Sequence, residues 1–280
     1  MNFGRVKTVL IAFLVIINLL LAYNLYGGRA SGIPSSAVVN DTVEILESRG
    51  ILVRPDMITK AARAGSMRAI EAGADEGTLD FIASSLLGRY EKSSPGGGVF
   101  KYQAGNPEYH ISFRPAGEVD GLVYLQGEVP RENEINTLKN ILRNSGFNLR
   151  GAKFEQKDGN IVVTRAINSI PIEGMELYAA FSFDRQSGGT LGFAGKAVLG
   201  AERSLTAPAS RGIAGLLVDF AVYAVENRIS GEITGIHPCY IIDETYTERL
   251  ILLPCYKIEM DGGEGGVYII DALSGKMILP

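Results

Sequence analysis

The sequence predicts an α+β fold, with a single N-terminal transmembrane helix followed by two exported units of helices packed on antiparallel sheets. Three observations support this class. An apolar run extends from Thr8 to Tyr26 behind a short basic leader. Glycine accounts for 34 of the 280 residues, as is typical of many short strands joined by turns. Several later segments alternate apolar and polar residues with a period of two, which favours half-buried strands.

The N-terminal segment predicts a retained membrane anchor. About 19 apolar residues, at roughly 1.5 Å rise each, nearly span a ~30 Å hydrocarbon core. Arg5 and Lys7 place the leader in the cytoplasm, because basic residues stay on that side. No clean small-x-small site follows, so an anchor is favoured over a cleaved signal peptide. We therefore expect a single-pass protein of the cell membrane, with leader and anchor at 1–29 and the bulk of the chain extracytoplasmic.

The charge of the remaining chain argues against a nucleic-acid partner. Arg5, Lys7 and Arg29 belong to the anchor region, which leaves 24 of the 27 basic residues against 31 acidic ones. A net negative surface disfavours nucleic acids and polybasic contacts with lipid headgroups. We expect contact with lipid only through the anchor.

A membrane-proximal α+β domain is predicted over 30–129. A first helix has Asn40 or Asp41 as its N-cap and ends at Gly50, where a short strand begins. Further helices are predicted at 59–70 and 78–90, and strands at 99–103, 109–114 and 121–126. In the second of these strands Tyr109, Ile111 and Phe113 alternate with polar residues, which predicts one buried and one solvated face.

A membrane-distal domain is predicted over 130–280. It begins with a helix at 135–144, and a long apolar helix at 208–226 is expected to lie against a sheet. Strands are predicted at 152–156, 161–167, 177–183, 191–198, 233–243, 249–259, 267–271 and 276–279, with Pro171–Gly174 separating the second from the third.

One internal similarity links the two domains. Residues 43–53 (VEILESRGILV) match residues 139–149 (KNILRNSGFNL), with Gly50 over Gly146. Each copy predicts a helix, a glycine stop and a strand. Both a duplicated unit and a chance match of a common pattern remain open.

The motifs of catalysis do not occur at a readable spacing. The glycine-rich stretches lack the flanking residues of a phosphate loop, and neither His110 nor His237 has a predicted partner. We expect no enzyme activity, no cofactor and no metal site. Cys239 and Cys255 lie in matching Pro-Cys-Tyr triplets, eight residues on either side of Thr247. A hairpin centred there would place them opposite each other, either as a disulfide or as two buried thiols.

Within the predicted anchor, Asn18 is expected to contact a partner, and the alternative is a polar residue that the span merely tolerates. A side-chain amide in hydrocarbon needs a hydrogen-bonding partner, and a neighbouring membrane helix can supply one. Ala22 and Leu25 share its helix face.

Two stretches resemble known families. The run Arg5–Tyr26 resembles the start of YycI and, more distantly, of YycH, which are membrane-anchored regulators of WalK-type sensor histidine kinases. The stretch Val267–Leu279 is similar to the closing hairpin of PepSY-like domains, in which Asp271 and Gly275 frame the turn. The resemblance implies a non-enzymatic regulator that binds a sensor histidine kinase through membrane helices and exported domains, together with a sister YycH-like protein. The alternative is a PepSY-like inhibitor or escort of an exported peptidase or cell-wall hydrolase, and a cell-wall enzyme is the third class.

Overall fold

The computed structural model describes residues 34–71, 75–106, 108–184, 188–197, 202–206, 210–243, 249–262 and 266–279. Its helices are α1 (Ser36–Glu47), α2 (Pro55–Lys60), α3 (Glu76–Leu87), α4 (Glu134–Asn144) and α5 (Ile213–Glu226). Its strands are β1 (Ile51–Val53), β2 (Arg68–Glu71), β3 (Tyr90–Gly96), β4 (Val99–Ala104), β5 (His110–Phe113), β6 (Glu118–Leu125), β7 (Ala152–Lys157), β8 (Asn160–Ile167), β9 (Ile170–Asp184), β10 (Gly188–Lys196), β11 (Glu202–Ser204), β12 (Gly231–Asp243), β13 (Arg249–Asp261), β14 (Val267–Asp271) and β15 (Met277–Leu279).

The chain forms two compact units that are interleaved in sequence. Among the described residues, the first unit comprises those up to Arg63, Arg211–His237 and those from Lys257 onward. The second unit comprises Ala64–Ser210 and Pro238–Tyr256. Residues on both sides of Pro130, the predicted domain boundary, lie in the second unit.

The first unit packs α1 against α5. The apolar residues of α5 are spread around most of its surface, as the sequence predicts, and Phe220 is fully buried. Leu46 on α1 is also fully buried. The N-cap of α1 is Ser35, whose hydroxyl accepts a hydrogen bond from the Val38 N–H. The predicted caps Asn40 and Asp41 lie inside the helix instead, so that prediction is wrong.

The closing hairpin of the first unit is confirmed. Strands β14 and β15 pair antiparallel, and Asp271 accepts hydrogen bonds at the turn from the Leu273 N–H and the Ser274 hydroxyl. Gly275 has φ +77°, a left-handed conformation that suits glycine. The turn lies beside an ion pair in which Arg211 Nη1 is 2.5 Å from Asp219 Oδ2 on α5. Arg211 Nη1 also donates to the Ser274 carbonyl at 3.2 Å.

The second unit contains a meandering antiparallel sheet with strand order β7-β8-β9-β10-β6-β5-β4-β3. In β5, Ile111 and Phe113 are buried as the sequence predicts, but Ser112 on the opposite face is buried as well and Tyr109 precedes the strand. The predicted division of 109–114 into one buried and one solvated face therefore holds only in part. Helix α3 packs against β3 to β6, and α4 against β7. The buried face of the sheet and these two helices form the main core of the unit.

A polar network joins α3 to the sheet at the margin of this core. Asp80 accepts hydrogen bonds from Lys92 Nζ at 2.6 Å and from the Tyr102 hydroxyl at 2.8 Å. The hydrogen bond from Lys92 lowers the pKa of Asp80. Burial, and then the hydrogen bond to Asp80, raise the pKa of Tyr102, whose side chain is fully buried. Lys92 also pairs with Glu76, so three charged groups hold α3 in place.

The predicted helix at 59–70 is wrong. Helix α2 ends at Lys60, and β2 follows at Arg68–Glu71, where it pairs antiparallel with β13. Two tyrosines hold the intervening segment. The Tyr256 hydroxyl accepts from the Ala64 N–H at 3.0 Å, and the Tyr240 hydroxyl donates to the Ser66 carbonyl at 3.1 Å. These tertiary bonds satisfy backbone groups that a helix would otherwise pair internally.

The predicted break at Pro171–Gly174 is also wrong. Strand β9 runs through it from Ile170 to Asp184. The chain instead turns at Asn168 and Ser169, which have φ of +50° and +70°. Two residues of positive φ between antiparallel strands form the tight turn that matches strand twist.

The internal similarity is preserved in part. Gly50 and Gly146 follow α1 and α4 with φ of +78° and +86°, so both end their helices in the same way. Only the first copy continues into a strand, β1.

The predicted fold class is wrong in two respects. No helix in the described ranges is long and apolar enough to cross a membrane, which overturns the prediction of a transmembrane helix and of a single-pass location in the cell membrane. The predicted anchor, residues 1–29, lies outside the described residues. The sheets are also mixed, since β1 and β9 each pair parallel with β12. The sheet-rich α+β character is consistent with the prediction.

Candidate interaction surface

The face of the meandering sheet opposite the core carries the most distinctive exposed side chains of the second unit. On β9, Leu177 and Ala179 are buried, so Tyr178 and Ala180 point to the other face. The same alternation applies to β10 and β6. We call this surface the outer face, and it consists of Tyr178, Ala180, Gly192, Ala194, Leu122 and Tyr124.

Strand register places these residues in two rows. Tyr178 is opposite Ala194, which is opposite Asp120. In the next row Ala180 is opposite Gly192, which is opposite Leu122. The centre of the outer face is therefore made of small residues, and a neighbouring molecule can approach its backbone closely.

Tyrosines stand beyond the small residues. Tyr178 is 48% exposed and Tyr124 is 47% exposed. The ring of Tyr124 lies 5.7 Å from that of Tyr109, centroid to centroid. Exposed tyrosines combine a large apolar surface with a hydroxyl group, and this combination is enriched at the centres of protein interfaces.

A charged group borders the outer face on β5 and β6. Arg114 Nη2 lies 2.6 Å from Asp120 Oδ1, and His110 Nε2 lies 3.7 Å from Asp120 Oδ2. All three side chains are partly exposed. Chemically, this arrangement presents an apolar centre with a polar margin, which is the common pattern of a protein-binding patch.

Both histidines have a carboxylate neighbour that spacing along the chain does not reveal. Besides the contact of His110 with Asp120, His237 Nε2 lies 3.9 Å from Glu259 Oε2. Each pair joins two adjacent strands. Within the described ranges, no group of three or more His, Cys, Asp or Glu side chains is arranged to hold a metal ion.

The predicted site residues fall into two groups. Asn18, Ala22 and Leu25 are outside the described residues, so partner contact through them stays a prediction. Cys239 and Cys255 are fully buried thiols on β12 and β13, which are neighbours in the sheet.

The two tyrosines of the Pro-Cys-Tyr triplets locate these cysteines further. Tyr240 and Tyr256 both reach the segment 64–66 and therefore share one face of the sheet, which places both cysteines on the opposite face. Cys255 Sγ donates a hydrogen bond to the Leu253 carbonyl at 3.4 Å. Their direct pairing, and a disulfide between them, stay predictions.

The sequence alone does not predict the outer face, although it carries part of the signal. In β9, Tyr178, Ala180 and Ser182 alternate with the apolar residues Leu177, Ala179 and Phe181. The alternation shows which side chains face away from the core. It does not show that β10 pairs with both β9 and β6, which brings the small residues of β9 and β10 beside Leu122 and Tyr124 of β6.

Comparisons with known proteins give no family. No family model matches the chain, and no curated protein matches it. Among solved structures, an uncharacterized protein from Eubacterium rectale is similar at 11% identity, with a TM-score of 0.44. That match covers 78% of this chain and 86% of the other.

Proposed function

We propose that this chain is a non-enzymatic regulatory protein that binds a sensor histidine kinase through the outer face of its second unit. The observation that carries the proposal is the exposed centre of small residues beside Tyr178 and Tyr124. The choice of a kinase as partner rests on the resemblance of the N-terminal run and of the closing hairpin to kinase regulators and PepSY-like domains.

The outer face suits a folded partner better than a small ligand. It is a sheet surface whose two tyrosines are about half exposed, whereas small-molecule sites are concave and enclose most of the ligand. Its tyrosines would supply most of the binding energy, since a few aromatic residues dominate typical interfaces. The pair formed by Arg114 and Asp120 would orient the partner rather than add much affinity.

The test is binding of the full chain to the resident sensor kinase, measured by co-purification and by a two-hybrid assay. Ala194→Arg places a long charged side chain in the middle of the outer face and should abolish binding. Ala37→Arg is the matched control, because Ala37 is exposed on α1 in the first unit. Tyr178→Ala should weaken binding by ~10-fold or more, as expected for an interface anchor.

Two results would refute the proposal. If the kinase does not bind the unmodified chain, the choice of partner is wrong. If it binds and Ala194→Arg has no more effect than Ala37→Arg, the outer face is not the interface.

A further inference from the structure

The two ends of the meandering sheet differ in how they are protected. At one end, β3 contains Pro95, and its register with β4 shifts between Ser93 and Gly96. Proline and irregular register are common means of preventing an edge strand from pairing with another chain. At the other end, β7 pairs with β8 in unbroken register from Ala152 to Lys157 and contains neither proline nor glycine.

Every second residue of β7 directs its backbone N–H and C=O groups away from β8. Lys157 and Asn160 flank the two-residue turn at Asp158 and Gly159, so they exchange both hydrogen bonds of a closely spaced pair. By alternation, the backbone groups of residues 152, 154 and 156 point away from β8. The Ala152 N–H agrees with this phase, since it donates to the Leu149 carbonyl and not across the hairpin.

We propose that this edge pairs antiparallel with the same edge of a second copy of the chain. In a twofold-symmetric pairing, the outward-directed backbone groups of one copy must lie opposite those of the other copy. Because these groups belong to every second residue, the symmetry axis must pass beside a single residue and not between two residues. The two registers with the longest overlap are centred on Phe154 and on Glu155.

The charges of β7 select the first of these registers. With Phe154 at the centre, Lys153 is opposite Glu155 of the second copy, and the twofold axis repeats this attractive pair. With Glu155 at the centre, the two glutamates face each other, and Lys153 is opposite Lys157 of the second copy. Opposite charges stabilise a cross-strand pair and like charges destabilise it, so the Phe154-centred register is favoured.

This register leaves four backbone hydrogen bonds between the copies. Two join the Phe154 residues, and two run from the Gln156 N–H of one copy to the Ala152 carbonyl of the other. The Ala152 N–H forms no hydrogen bond between the copies, because it already donates to the Leu149 carbonyl of its own chain. Such a small interface gives a reversible dimer rather than a permanent one.

The experiment is sedimentation velocity of the full chain over a concentration series up to ~1 mM, the weak end of measurable association. Lys153→Glu and Glu155→Lys each turn both attractive pairs into repulsive ones and should raise the dimer dissociation constant by ~10-fold or more. The double variant, with both charges exchanged, restores opposite charges and should return the dissociation constant to within about threefold of the original.

Two further variants serve as controls for the change of charge and for the hydrogen bonding of the edge. Lys101→Glu makes the same change of charge as Lys153→Glu on another exposed strand position and should leave the dimer unchanged. Gln156→Pro removes an outward N–H from an edge strand, where proline is tolerated, and should give a monomer with an unaltered circular dichroism spectrum.

A chain that stays monomeric throughout the series overturns the proposal. So does a dimer in which the two single variants behave like Lys101→Glu, or in which the double variant fails to recover. Because these measurements need no other protein, their failure is independent of the proposed binding of a kinase.

Discussion

Gly275→Ala should destabilise the first unit by far more than the cost of placing an alanine in the left-handed backbone conformation. Gly275 has φ +77° in the turn between β14 and β15. An added Cβ would lie closer than 3.0 Å to both Arg211 Nη1 and Asp219 Oδ2. Real Cβ atoms essentially never come so near to other heavy atoms, so the turn or the ion pair must move.

Gly50→Ala provides a matched control. Gly50 belongs to the same unit and has φ +78°, but its Cβ would meet only Ser230 Cβ at an ordinary 3.6 Å. Both substitutions therefore carry the same left-handed backbone cost of about 1–2 kcal/mol. Only Gly275→Ala adds the displacement of Arg211 from Asp219 and from the Ser274 carbonyl.

The additional cost follows from the interactions of Arg211 that the new methyl group displaces. A partly exposed ion pair contributes about 0.2–1 kcal/mol, a hydrogen bond about 0.5–1.5 kcal/mol, and residual overpacking about 1 kcal/mol. We expect the free energy of unfolding in urea to fall by about 2 kcal/mol more for Gly275→Ala than for Gly50→Ala. A difference below about 0.5 kcal/mol, which is the size of an ordinary surface effect, would refute this reasoning.

Three further predictions concern the core and the polar network. Tyr102→Phe should cost about 1 kcal/mol in urea unfolding, because Asp80 loses one hydrogen bond and keeps Lys92. The folded state lowers the pKa of Asp80 below its unfolded value of 3.8, so its stabilising contribution is present above that pH and is lost as the pH falls through the folded pKa. Acid titration of Asp80→Asn should therefore show a smaller loss of stability over that range than the unmodified chain does, and equal losses would contradict the assignment. Leu46→Ala should cost about 2–5 kcal/mol in thermal or urea unfolding, whereas Val38→Ala on the exposed side of the same helix should cost little.

The parts of the fold that the sequence predicts are those governed by local periodicity. Helix α4 places Leu138 and Leu142 in the core one turn apart, and β10 buries Leu191 and Phe193 at alternate positions. In each case the burial pattern follows directly from the geometry of one element. Such patterns can be recognised without knowing what the element packs against.

The predictions from sequence are wrong where residues distant along the chain determine the backbone conformation. Residues 59–70 contain several alanines, which favour a helix. The hydroxyl groups of Tyr240 and Tyr256 nevertheless bind the backbone of this segment from about 170 to 190 residues away along the chain. The spacing of the matching Pro-Cys-Tyr triplets predicts a pairing of the cysteines, and it carries no information on what the tyrosines contact. The tyrosines that follow them carry the contacts.

The outer face, too, can be predicted from the sequence only in part. Alternation identifies Tyr178 and Ala194 as residues that face away from the core, and no long-range information is needed for that. Their position in one row with Asp120 depends on β6 pairing with β10, two strands separated by α4 and three other strands in sequence. A surface made from three strands therefore appears only when the strand order is known.

The two proposed interactions are geometrically compatible, and together they make a stronger prediction than either alone. Antiparallel pairing of β7 with a second copy has its twofold axis perpendicular to the sheet, so the sheet continues across the interface and both outer faces lie on the same side. A partner that is itself dimeric could then contact both faces at once. Its second contact would be intramolecular, so the apparent affinity would exceed that of one face without any new contact. Lys153→Glu replaces none of the six residues that define the outer face, although Lys153 lies on the same side of the sheet. It should therefore weaken binding to a dimeric partner more than binding to a monomeric fragment of that partner. Equal effects on the two forms would show that edge pairing does not contribute to recognition.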